Sequence, residues 1–275
     1  MLITIVINRQ NYKADLSQPY CLAIPLYFNG AQPNHFGVPR ASSKAVEVDG
    51  FVGDTKRQGG CNVDEITLIP HCNGTHTESV GHIVNDDIAV ASVLKDTFIP
   101  SQLISMNWHR AKDSVDSYRP NLEDEDKLIT RASLEDKLEN IDDPLLQAVI
   151  IRTLNSSGSK KEAVYNIENQ PPFFSVEAME YIVARGVEHI LVDFPSVDKM
   201  YDEGMLTNHH LFWNVEEGAH ALTLSSSQHK TITEMIFVED KIEDGPYLLN
   251  IQIPEFMSDA APSRPMIYRM TKNDA

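Results

Sequence analysis

His71-Cys72-Asn73-Gly74-Thr75-His76-Thr77-Glu78-Ser79-Val80-Gly81-His82 packs three histidines, one acid and one cysteine into twelve residues. It follows the apolar run Ile66-Thr67-Leu68-Ile69-Pro70, rich in β-branched side chains, which predicts a strand from Asn62 that ends at His71. Asn73-Gly74 is a turn dipeptide, because both residues tolerate positive φ at little steric cost. The chain then presents His76 and Glu78 two residues apart. On an extended arm these point to the same side and converge with His71. Imidazole and carboxylate together suit a divalent cation, zinc or, with a larger share of oxygen, manganese. A second reading stands beside this one. Thr75-His76-Thr77-Glu78 has the form of a capping box, which would put Glu78 and His82 four apart on one helix face. Taken singly, each histidine in a chain with ten reads as an ordinary surface or core residue. The cluster does not.

Working outward, Leu2 to Asn8 alternates as a first strand, and Tyr12 to Leu16 pairs with it across a short turn. Pro25 to Pro39 is a long connection rich in Asn, Gly, Pro and aromatic residues, and a connection of that length in a compact domain is commonly functional. Ala45 to Gly53 and Asn62 to His71 form two strands around the polar loop Asp54 to Gly60. No Lys-Ser/Thr follows Gly59-Gly60, so that loop is no phosphate cradle. Ile88 to Leu94 is a helix or a strand, undecided by periodicity, and Phe98 to Trp108 is a strand.

Residues 113–143 are dense in acid and short of aromatics. They read as a solvated insertion with one helix, Ser133 to Ile141, capped by Ser133. Leu145 to Leu154 is a buried strand, followed by a flexible loop, Ser156 to Lys161. Ser175 then caps a helix in which Val176, Met179, Ile182 and Val183 recur at helical spacing, with Gly186 just past its end. His189 to Val192 is a strand, and Gly245-Leu248 with Ile251-Pro254 reads as a strand pair.

His71, Gly74, Thr75, His76, Glu78 and His82 resemble the signature H-x-G-T-H-x-D-x-P-x-H of the cyclase family of metal-dependent hydrolases, which includes kynurenine formamidases (arylformamidases) and isatin hydrolases. One extra residue separates His71 from Gly74, Glu78 stands for the Asp and Val80 for the Pro. Asp15-Leu16-Ser17-Gln18-Pro19, Asp193-Phe194-Pro195-Ser196-Val197-Asp198 and Ala261-Pro262-Ser263-Arg264-Pro265 resemble further family segments, so the resemblance runs from about residue 12 to residue 270. It implies an α/β fold, a swivelling β/β/α domain with a mixed β-sheet core, spanning residues 1–275 as one domain. It also implies that His71, His76 and Glu78 bind a divalent metal and that His82 is the acid/base. A further histidine before Phe212-Trp213 (His209, with His210 the alternative) and Glu234 would complete a second metal position. Phe28, His35 and Phe36 fall in a loop that lines the substrate pocket in the family, and family members form homodimers or homotetramers.

A metal so held leaves positions for water and substrate and lowers the water's pKa to roughly 7. The implied reaction is hydrolysis of an amide in a small molecule, an N-formyl aromatic amine or a cyclic amide. A serine hydrolase is excluded by the lack of G-x-S-x-G. The other reading is a protein that keeps the fold for binding and has lost catalysis. With 23 basic and 40 acidic side chains the formal charge is −17, which repels nucleic acid and anionic membranes. Three scattered cysteines make no disulfide framework, and Met1 to Ile7 is too short for a signal peptide and lacks a basic leader. These features predict a cytoplasmic protein.

Overall fold

The computed structural model describes residues 1–154 and 160–273. Most of the predicted loop Ser156 to Lys161 therefore lies outside the described residues. The main sheet has eleven strands: β1 (Leu2–Ile7), β2 (Gln10–Asp15), β3 (Tyr20–Cys21), β4 (His76–Glu78), β5 (Ile99–Met106), β6 (Ala148–Thr153), β7 (His189–Val192), β8 (Thr231–Glu234), β9 (Gly245–Gln252), β10 (Ala260–Pro262) and β11 (Arg264–Lys272). Their order is β1-β2-β11-β9-β5-β6-β7-β8-β4-β10, with β3 also on β11. β5, β6, β7 and β8 run parallel and the flanking pairs antiparallel, so the fold is mixed α/β, as expected.

The parallel strands are buried on both faces, which is why β6 opens on the apolar run Ala148 to Ile151 instead of alternating. Alternation sorts their side chains. Val149, Ile151, Ile190, Val192 and Ile232 face a core built with the helices α2 (Val176–Ala184) and α3 (Thr207–Trp213). Ala148, Ile150 and Leu191 face a second core with Leu22, Leu249 and Ile267. Ser175 caps α2 as predicted. Its Oγ accepts from Ala178 N at 3.1 Å and donates to Asp116 Oδ2 at 2.7 Å. Ser175→Ala is expected to lower stability by about 1–2 kcal/mol, read from the denaturant midpoint.

Four expectations are corrected. The predicted strand from Asn62 to His71 is only Asp64–Thr67, paired with Ser42–Ala45. Pro70, lacking an N–H, opens a helical turn, Pro70–Asn73, that carries His71. Ala45 to Gly53 is likewise broken, into a small hairpin of Glu47–Val48 and Phe51–Val52 whose tip, Asp49-Gly50, takes positive φ at both residues. The expected pair Gly245-Leu248 and Ile251-Pro254 is one strand, Gly245–Gln252, because β5 and β11 pair along its two edges. The acidic segment 113–143 is more than a solvated insertion: Tyr118, Asp126, Leu128, Ile129, Leu134 and Leu138 are buried. Its helix, α1 (Arg131–Leu138), starts at Arg131 with Thr130 as cap, because the buried strand Lys127–Ile129 ends there. Ile88 to Leu94 holds a helical turn, Val90–Val93.

Candidate active site

β4 settles between β8 and β10, and its register places His76 opposite Glu234 and Glu78 opposite Ile232. The arm is extended, so the capping-box reading of Thr75 to Glu78 does not apply. Thr75 fixes its start: its hydroxyl accepts from Ile24 N at 2.9 Å and donates to the Met235 carbonyl at 2.5 Å. Beyond it, Ser79 caps a short 3-10 turn, Val80–His82, that swings His82 back over Glu78. Gly81 is required in that turn, since a Cβ there would stand 2.4 Å from the Ile88 carbonyl oxygen.

Glu78 is the hub. It is 1% exposed. Its Oε1 lies 2.9 Å from His209 Nε2, and its Oε2 lies 2.9 Å from His71 Nδ1 and 4.0 Å from His82 Nε2. Burial alone would raise its pKa, but His82, His209 and His71 outweigh burial and hold the carboxyl well below its ordinary value. Burial would also lower His209, yet Glu78 and Asp198 keep it well above the usual histidine value. For His71 the carboxylates of Asp259 and Glu78 overcome burial and lift the imidazole to about 10.

His76 differs from the other three. Its Nδ1 donates to the Gly74 carbonyl at 3.0 Å, which leaves the Nε2 lone pair pointing inward. That nitrogen is fully buried, has no hydrogen-bond partner, and stands 3.4 Å from Glu234 Oε2. A buried lone pair facing a carboxylate is unfavourable unless a cation lies between them. Glu78 Oε2 is likewise buried without an aligned hydrogen bond. The donor atoms of His71, His76 and Glu78 lie within 4.8 Å of one another, as do those of Glu78, His82 and His209. These nitrogen and oxygen donors therefore fit two cation positions that share Glu78.

The structure thus brings His71, His76, Glu78, His82, His209 and Glu234 together. Of the two neighbouring histidines, His209 faces Glu78. In the Pro25 to Pro39 loop, His35 is buried, Phe36 is half exposed and Phe28 is partly buried. The His35 and Phe36 ring centroids are 3.9 Å apart, and His35 N donates to the Cys72 carbonyl at 3.0 Å, which seats the loop on the turn carrying His71. Burial, with His76 adding to it, pushes the His35 imidazole down to about 3. The unfolded chain thus binds a proton near pH 6.5 that the folded chain refuses, so stability is full above that pH and falls below it. Between pH 6.5 and 5 the loss from this group is about 2 kcal/mol. We expect the stability difference between the parent and His35→Leu to shrink by about that much over the same interval, measured by urea unfolding.

Three functional side chains escaped the sequence. Asp259 Oδ2 lies 2.8 Å from His71 Nε2 and 3.5 Å from His82 Nδ1, and no pattern around residue 259 announces it. Asp198 was visible as the last residue of the Asp193–Asp198 segment but carried no role. Its Oδ2 meets His209 Nδ1 at 2.5 Å, while Oδ1 accepts from Asn208 N at 2.6 Å and from Tyr118 Oη at 2.7 Å. Tyr118 comes from the acidic segment, which therefore braces the site from behind.

Residues 14–199, about two thirds of the chain, match the Cyclase family model. The chain belongs to the cyclase family. A kynurenine formamidase from Bacillus cytotoxicus is 25% identical to this cyclase-family chain over 219 residues, covering 78% of this chain and 85% of that protein. Isatin hydrolase A from Labrenzia aggregata superposes with a TM-score of 0.61 at 13% identity, over 91% of this chain and 93% of that one. A Bacillus stearothermophilus structure described as a "predicted metal-dependent hydrolase" gives 0.57 at 17% identity, over 91% and 98% of the two chains. At these identities the superpositions establish the cyclase fold alone. Among the described residues no helix is long and apolar enough to cross a membrane.

Proposed function

We propose that this cyclase-family chain is a metal-dependent hydrolase of an amide bond in a small molecule, an N-formyl aromatic amine or a cyclic amide. The observation that carries the reading is the buried, unpartnered Nε2 of His76 set against Glu234 beside the shared carboxylate of Glu78. The kynurenine formamidase likeness supplies the substrate class. His71, His76, Glu78, His209 and Glu234 would hold one or two divalent ions, zinc or manganese.

Held by these residues, a divalent ion would supply Lewis-acid polarisation of a carbonyl and a water of lowered pKa. The chain's own groups do the rest. Glu78, held ionised by its imidazoles, supplies the negative charge that retains the cation. His82 is partly open to solvent, and Asp259 lies beside its Nδ1, which suits it to carry a proton to the departing amine. A cleft of about 560 Å³, lined by Gly81, Val84, Asn85, Ile88, Met257 and Asp259 among others, opens beside this pair and gives a route in.

Elemental analysis of the purified parent and of His76→Ala tests the reading, with hydrolysis of N-formyl aromatic amines and cyclic amides followed by absorbance. We expect near-stoichiometric zinc or manganese and turnover in the parent, both reduced in the variant. A parent that takes up neither metal and turns over neither substrate class would retire the hydrolase reading in favour of a fold kept for binding.

A further inference from the structure

We propose that His189, Asp96 and Glu188 form a separate zinc-type cation site on the opposite face of the sheet from Glu78. The separation follows from the register. β7 pairs with β8 so that His189 meets Thr231 and Ile190 meets Ile232. Ile232 lies opposite Glu78 on the face toward the active site, so His189 and Thr231 point to the other face.

His189 is only 2% exposed. Its Nδ1 lies 2.8 Å from Thr231 Oγ1, which can take the ring proton and leave a lone pair on Nε2. Nε2 is buried with no hydrogen-bond partner, and the nearest charge, Asp96 Oδ2, is 3.7 Å away, too far for a hydrogen bond. Donor atoms of Asp96, Glu188 and His189 all fall within 4.8 Å of one another.

The surroundings hold that arrangement. Gln147 Nε2 donates to Glu188 Oε2 at 3.1 Å and leaves Oε1 free to turn toward a cation. His229 Nε2 stands 3.9 Å from Oε1 at the exposed rim. Lys230 sets its ammonium over the Phe212 ring at 4.7 Å, still within the field of Glu188. A nitrogen ligand oriented by a hydroxyl, with two carboxylates completing the set, suits zinc better than calcium or magnesium, which take oxygen alone. Bound there, zinc would clamp the segment before β5, which carries Asp96, to the start of β7.

The test counts zinc. Full-length protein is stripped with chelator, loaded with zinc, desalted and analysed for bound equivalents. The parent, His189→Gln and the surface pair Asp96→Asn with Glu188→Gln are compared. We expect both variants to bind one equivalent fewer than the parent and to keep its hydrolytic activity. His76→Ala should lose active-site zinc yet retain the His189-dependent equivalent, so this site and the active-site reading can fail independently. Thr231→Val should weaken the site about tenfold. If the buried His189→Gln does not fold, the surface pair decides, and parental stoichiometry in either folded variant overturns the proposal.

Discussion

Glu78→Gln is expected to lower kcat/KM for amide hydrolysis by about a thousandfold and to strip the active site of its metal. The side chain keeps its size but loses its charge at the point where His209 Nε2 and His71 Nδ1 each approach to 2.9 Å. The same substitution takes from His71 and His209 one of the two carboxylates each faces and leaves Asp259 and Asp198 in place, so the stability loss stays below the roughly 3–5 kcal/mol of an uncompensated buried charge. Thermal melts with and without zinc separate the two effects. A folded Glu78→Gln protein that keeps parental metal content and turnover would remove Glu78 from the centre.

Asp198→Asn is the second large effect. Asp198 is a positioning residue: it accepts a hydrogen bond from His209 Nδ1, so that Nε2 faces Glu78. An asparagine of the same shape can donate as well as accept and no longer fixes that tautomer. Removing such a partner from a metal-binding histidine costs about 10–100-fold in metal affinity. We expect that loss in zinc titrations, with the apparent kcat recovering at high zinc while the zinc requirement stays raised. Tyr118→Phe, which removes one of the bonds to Asp198 Oδ1, should give a weaker version of the same shift. A zinc requirement unchanged in folded Asp198→Asn would mean that His209 does not bind the metal.

Local chemistry made parts of this molecule legible before any coordinates. The two-residue spacing of His76 and Glu78 survives as an extended arm with both side chains on one face, whereas Asn73 closes the helical turn and Gly74 is extended, so the turn dipeptide does not take the positive φ expected of it. The N-cap at Ser175 and the stop at Gly186, whose φ is +72°, are likewise set by residues within one or two turns. The break at Pro70 was equally local and should have ended the predicted strand, because proline opens helical turns readily. Apolar continuity outweighed it.

Residue types and local spacing carried the chemistry into view: histidines and carboxylates clustered between His71 and His82, apolar core strands, and an excess of acid. Only the tertiary structure decided how they meet. His71 and Asp259 are 188 residues apart, and Tyr118 reaches Asp198 across 80. Contacts of that span depend on strand order, and no periodicity within one segment encodes which strand lies beside which. The choice of His209 over His210 was decided the same way. Adjacent residues on a helix point about 100° apart, and only the packing of α3 against the sheet turns one of them toward Glu78.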